Sequence, residues 1–580
     1  MESSAWRTRI ADALWLVAWG VLSSAWCVTA AGELGATFDE PLYLTRGLEG
    51  WRTGSHAGLI RVGTMPLPID VQTLPLYLRE RASGTKFDTA ADCDTLLRWA
   101  RAGTLPFWWL LLLYGLLAGR QIGGPWGGRL AVTLLACEPS LLAHAALATT
   151  DIAVSAAVLA LVYHFRTGRE RGWCLRVLVP SAWLAAAILS KASGLVFGSI
   201  CLLAVECERQ LRQVRERGEG WPALWRTFGP FRRDAAQVVG LGLLLTFTYC
   251  GSDWQPEPSF VAWAHQLPEG RSASVVVWLA DHLRIFSNAG EGIIRQVRHN
   301  VRGHGVFLLG EVHPRALWYY FPVALSIKLT LPLLLLPPLL AAVRPSALRN
   351  WACAAAGALL LFSLTCRVQI GIRLMLPLVA LAVAGLAGAA ANACRWPAAA
   401  DEKARRGRFV SFSPSLLLCS ALPFVLGASV LWAGVSAALV WPRGLCYTNE
   451  AWGGTERGYL RLSDSNYDWG QGVKELALWQ KDHGNGPLDV WYFGSDPAVL
   501  RPPLHYVALH APPPGSPVLD VREQVRGHRL AVSTTLLYGM PCDTEEYRQA
   551  SGFLRGCTPM ARTSTFLIYD FSEPCAAAAP

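Results

Sequence analysis

Residues 10–31 read IADALWLVAWGVLSSAWCVTAA, with Asp12 the one charged side chain in the run. A helix needs roughly 20 mostly apolar residues to cross the hydrocarbon core of a bilayer, and this stretch is long enough. Further apolar runs follow it at Leu105–Leu117, Leu130–Ala143, Ile152–Phe165, Leu175–Leu189, Ala192–Val205, Ala235–Cys250, Trp318–Val343, Trp351–Leu364, Leu374–Ala393 and Leu416–Val440, which makes about eleven spans. Several are short, which neighbouring helices can shield. The whole chain of 580 residues is 52% hydrophobic and only 16% charged, against about 25% charged residues in soluble domains. Disordered, fibrous and single-core soluble architectures are excluded on that balance. The fold class expected is an α-helical polytopic membrane protein carrying a small α/β domain at its C-terminus.

Charge orders the spans. With the N-terminus in the cytoplasm, Arg166, Arg169, Arg171 and Arg176 fall inside, as do Arg209 to Arg233, Arg344, Arg349 and the group from Lys403 to Arg408. Two long loops, 32–102 and 251–315, then lie outside together with everything beyond Trp441. The division expected is a transmembrane unit at 1–440 and an extracytoplasmic domain at 441–580. That tail holds 12 Lys and Arg against 15 Asp and Glu, a net of −3, so the first 440 residues carry +13 and the whole chain +10. The excess is an orientation signal rather than a nucleic-acid footprint. In the tail, Val490–Phe493, Leu530–Thr534 and Phe566–Tyr569 read as strands, and Gln471–Trp479 has helical spacing. The proline run at Ala511–Pro514 reads as a rigid linker, and an oxidising location permits a Cys542–Cys557 disulfide.

Charges beside apolar spans are costly and mark functional groups. On the outer face these are Asp39, Glu40, Asp151, Lys191 and Arg373. Each alone has an ordinary explanation, as a solvated span end or a helix cap; five on one face call for a common one. The 251–315 loop adds Arg295, Arg298, His299, Arg302, His304 and Glu311, which suit a substrate-lining wall or a solvated loop. In the tail, Asp464, Asn466, Asp468 and Glu475 hold the spacing of positions one, three, five and twelve of a calcium loop, but Trp469 stands where that loop needs glycine. Caps and turns that dock the tail, or an acceptor-binding site, are the better reading.

Several of these residues lie in motifs. Thr37-Phe38-Asp39-Glu40-Pro41 resembles the acidic pair in the first outer loop of the protein O-mannosyltransferases and aminoarabinose lipid A transferases. The stretch from Pro139 to His144, with Thr149-Thr150-Asp151, is similar to that group's second signature, and Leu189-Ser190-Lys191 to a third. Gly303-His304-Gly305, Leu309-Gly310-Glu311, Trp318 to Pro322 with Lys328, Ile370 to Pro377, and Asp464 to Gln471 resemble its bacterial branch. The resemblance runs in order from about residue 37 to 475. It implies the GT-C fold in a bacterial inner or plasma membrane, and transfer of a sugar (mannose or another hexose or pentose) from a polyprenyl phosphate to an unknown protein, lipid or glycan acceptor.

On that resemblance Asp39 is the general base with Glu40 beside it, Arg373 and Lys191 meet the donor phosphate, and Asp151 orients the site or holds a divalent cation such as Mg²⁺ or Mn²⁺. His304 and Glu311 would line a substrate loop. The rival reading is a transporter or flippase for lipid-linked sugars. Transporters often show repeated halves and midplane charges, whereas here the charges sit at one surface.

Overall fold

The computed structural model describes residues 2–217, 222–284, 287–395, 414–484, 486–511, 520–540 and 544–572. Cys542, Pro512 to Pro514 and the basic group from Lys403 to Arg408 lie outside the described residues. The described residues up to Val440 include a bundle of apolar helices topped by two helical loops. The first long helix, Glu2–Glu33, ends where the chain turns into the Asp39 loop.

Two of the expected spans form a hairpin. The helical run Leu105–Cys137 reverses at Gly124, whose φ of 67° and ψ of −164° suit glycine alone. The two arms then touch through small residues. A Cβ on Gly119 would lie 2.4 Å from the Gly127 carbonyl, and one on Gly115 would strike Leu135. Helix Leu376–Cys394, rich in alanine and glycine and buried on nearly every face, lies against this hairpin with Gly388 on Gly123. Small side chains allow this close approach in the absence of a hydrophobic drive between helices.

Helices Asp151–Gly168, Val179–Ser190, Gly194–Arg217, Pro222–Cys250, Trp351–Ser363 and Pro414–Val440 occupy the remaining apolar runs. The stretch Trp318–Val343 departs from its expected form as one span. It is two helices, Tyr320–Lys328 and Leu331–Val343, bent by 111°. Leu329 and Thr330 are extended at the break, with Pro332 in the first turn of the second helix where its missing N–H costs nothing, and the Lys328 ammonium finds partners off the axis, donating to the carbonyls of Leu445 at 2.7 Å, Tyr447 at 2.5 Å and Asn466 at 2.7 Å. Among the described residues, four helices are long and apolar enough to cross a membrane, or five with the bent pair counted as one span, against the eleven read from the sequence. The rest are shorter or carry charge.

The tail folds around a five-stranded sheet. With β1 (Val306–Leu308) and β2 (Glu311–His313) forming a hairpin in the second loop, the tail strands are β3 (Leu488–Trp491), β4 (Leu504–Tyr506), β5 (Arg529–Ser533), β6 (Ala561–Arg562) and β7 (Phe566–Asp570), in the order β4-β3-β5-β7-β6. β3 runs parallel to β4 and β5, while β7 is antiparallel to β5 and β6. Alternation splits the core between two faces. Val490, Ala531 and Ile568 meet Val473 and Leu476 of helix Val473–Asp482, while Trp491, Leu530 and Val532 meet Tyr547 and Leu554.

Candidate active site

Asp39 stands at the N-cap position of helix Glu40–Thr53, with its side chain making no capping hydrogen bond. Its carboxylate accepts a hydrogen bond from Arg373 Nη1 at 2.9 Å and one from the Tyr43 hydroxyl at 3.3 Å, and it stays partly open, 22% exposed. Lys191 interrupts two helices in an extended conformation, and its ammonium donates to Asp151 Oδ1 at 2.6 Å. Asp39, Lys191 and Arg373 therefore line one cavity of about 590 Å³. Its far wall is the helix Ser287–Arg302 in the second loop, which contributes Arg295, Arg298, His299 and Arg302. Five arginines and lysines face the cavity, with Asp39 the only carboxylate lining it among the described residues. Such a wall attracts an anionic group. Burial, then the neighbouring His304 and Arg373, hold the His299 imidazole below its ordinary value, which favours the neutral ring.

Arg373 is held from below by the tail. Its guanidinium lies 4.2 Å from the centroid of the Trp469 ring, within cation–π range. Two positions earlier, Gly371 has φ 149°, and a Cβ there would come within 2.2 Å of Ser465 Oγ. Asn466 accepts from the Ile372 amide at 2.9 Å and donates to the Tyr320 hydroxyl at 2.8 Å. The tail segment read as caps and turns that dock the tail, or as an acceptor site, is turned inward as a brace under Arg373. Asp468 is buried and accepts from Thr535 N–H at 3.0 Å, Gly470 N–H at 3.2 Å and the Thr534 hydroxyl at 3.2 Å. Burial pushes its carboxyl up to about 7, and burial pushes that of Asp464 up to about 6 despite Arg373 nearby. Glu475 is committed elsewhere, to Ser564 and Arg443.

Glu40 does not stand beside Asp39 in the cavity. It is fully buried and pairs with Arg101, which donates to its two oxygens at 2.8 and 2.7 Å. Arg101 also donates to the carbonyls of Ala31, Leu34 and Gly35, while Glu40 accepts from the amides of Thr37 and Ala148. Burial raises the Glu40 carboxyl, but the Arg101 guanidinium and these bonds outweigh it and bring it below the ordinary value. This pair welds the end of the first helix to the turn before Asp151. Glu311 is also outside the cavity. It projects from β2, 78% exposed, near His313. His304 stacks on His299 with ring centroids 5.6 Å apart and opens onto a smaller recess shared with Asp464 and Tyr320.

Asp151 gives one oxygen to Lys191 and keeps the other buried without a hydrogen-bond partner, and no group of three His, Cys, Asp or Glu is gathered among the described residues. Sequence reasoning missed Arg101, because an arginine on an amphipathic loop helix looks like any solvated one. It missed Tyr43 for a similar reason, although its spacing four residues after Asp39 places both on one helical face.

The chain matches no family model and no curated protein. Among solved structures it is similar to the crystal structure of ArnT from Cupriavidus metallidurans bound to undecaprenyl phosphate. The two are 14% identical over 98% of this chain and 99% of that one, with a TM-score of 0.42. The apo state of the same protein is similar at 14% identity over 96% and 98% of the two chains, again with a TM-score of 0.42.

Proposed function

We propose that the chain is a membrane glycosyltransferase that moves a sugar from a polyprenyl-phosphate donor to an acceptor hydroxyl on the extracytoplasmic side. The observation that carries this reading is the placement of one carboxylate, Asp39, with the cations Arg373 and Lys191 on the wall of a single cavity at the end of an apolar bundle. The ordered motif resemblance supports it.

Transfer forms a bond from the acceptor oxygen to the anomeric carbon and breaks the bond from that carbon to the phosphate oxygen. The acceptor hydroxyl gives its proton to Asp39, a step that contributes typically ~10²–10⁴-fold in such reactions. The bonding pair leaves with the polyprenyl phosphate, and Arg373 and Lys191 stabilise the charge that develops there. Arginine suits this part because its planar fork bonds two phosphate oxygens at once.

The test is transfer by purified, reconstituted protein with a radiolabelled polyprenyl-phosphate sugar. Asp39→Asn should lower transfer by about 10²–10⁴-fold while the protein keeps its elution volume and melting temperature. Wild-type turnover in that variant would falsify the mechanism. Mass spectrometry of acceptor fractions from cells with and without the protein then identifies sugar and acceptor together.

A further inference from the structure

The bundle carries a second cavity at its other end. Trp15 lies on the same helix as Glu33 and five turns before it, which is roughly 27 Å along the axis from the Asp39 end. There, a groove of about 530 Å³ runs between that helix, the second arm of the hairpin, and the helices Leu376–Cys394 and Pro414–Val440. Trp15, Trp19, Trp126, Leu426 and Val430 wall it, and Arg129 and Arg395 are its only charged lining residues among those described.

The walls are held by contacts among themselves. Trp15 Nε1 donates to the Arg129 carbonyl at 3.1 Å and to Thr133 Oγ1 at 3.0 Å, and the Arg129 guanidinium lies 5.0 Å from the centre of the Trp126 ring. The charge around it is unbalanced. Asp12 serves both Arg120 and Arg129, while Arg395 is held by the Gly123 carbonyl at 2.6 Å and has no carboxylate partner among the described residues. Among the described residues, three guanidinium groups therefore meet one carboxylate at the turn of the hairpin. Tryptophans mark the level of the lipid headgroups, and basic pockets between membrane helices suit anionic headgroups.

We propose that this groove binds an anionic glycerophospholipid of the leaflet opposite the Asp39 cavity, with an acyl chain against the tryptophans and the phosphate on Arg129 and Arg395. The site is separate from the one proposed for transfer and does not depend on that reading. Native mass spectrometry of the full-length protein, delipidated and titrated with phosphatidylglycerol or phosphatidylcholine, tests it. One phosphatidylglycerol should bind per chain, with a preference on the order of tenfold over phosphatidylcholine.

Gly427 lines the groove, and a Cβ there meets nothing within 4 Å, so Gly427→Leu fills the space without displacing backbone and should abolish that binding. Arg395→Gln, at an exposed position, should lower the preference roughly fivefold while leaving phosphatidylcholine binding unchanged. Equal binding of the two lipids by the wild type, or wild-type binding of phosphatidylglycerol by the Gly427→Leu protein, overturns the proposal.

Discussion

Adjacent residues build two different ion pairs. Glu40 and Arg101 are almost wholly buried, and Arg101 directs its guanidinium into five hydrogen bonds, two to Glu40 and three to backbone carbonyls. Asp39 and Arg373 share one bond at 2.9 Å on a cavity wall, and Arg373 Nε is without a partner among the described residues. The difference is one of saturation. A buried pair whose donors are all used holds its surroundings and has nothing to give to a ligand. A pair with spare donors and a partly open carboxylate can exchange partners when an anion arrives.

Breaking the open pair should have the largest effect on turnover. Asp39→Asn should lower kcat by about 10²–10⁴-fold, read in the transfer assay, with the melting temperature unmoved. The buried pair should answer in the opposite way. Arg101→Gln leaves Glu40 charged and unpaired, and should cost about 3–5 kcal/mol of stability, seen as poor yield and early melting. If Arg101→Gln melts like the wild type, the contrast drawn between the pairs is wrong.

A gentler probe of the open pair is Arg373→Lys, which keeps the charge and gives up the fork. It should raise KM for the donor by roughly tenfold, since a hydrogen bond to a charged group is worth about 1.5–3 kcal/mol. The smallest effect concerns the brace beneath Arg373. The folded carboxyl of Asp468 sits at about 7, above its unfolded value of roughly 3.9. The folded state therefore holds its proton more tightly, and the contribution to stability, present at low pH, is lost as pH rises through that window. Melting temperatures should fall between about pH 4 and pH 7, and Asp468→Asn should flatten that dependence. An unchanged slope in the variant would assign the pH dependence to other groups.

Asp39, Lys191 and Arg373 were legible as candidates because a charge next to an apolar run has few reasons to be there. That they line one cavity was not legible, since they stand 152 and 182 residues apart along the chain and meet only through the packing of four helices and the tail. Asp39 and Glu40 could not be told apart either. Successive residues at a helix start point in different directions, and which one faced Arg101 depended on where helix Cys93–Ala102 docked. Glu311 misled because a motif position says nothing about exposure. The bend at Lys328 was hidden inside an unbroken apolar run, as its cause is a set of carbonyls more than a hundred residues away.

The sequence by itself determined that this is a polytopic helical protein with an α/β tail, because apolar run length, helical spacing and strand-like runs are local properties, written in consecutive residues. Only the tertiary structure decided which charges are saturated and which are free to meet a ligand. Saturation is counted in hydrogen bonds at about 3 Å, and those depend on where distant segments come to rest.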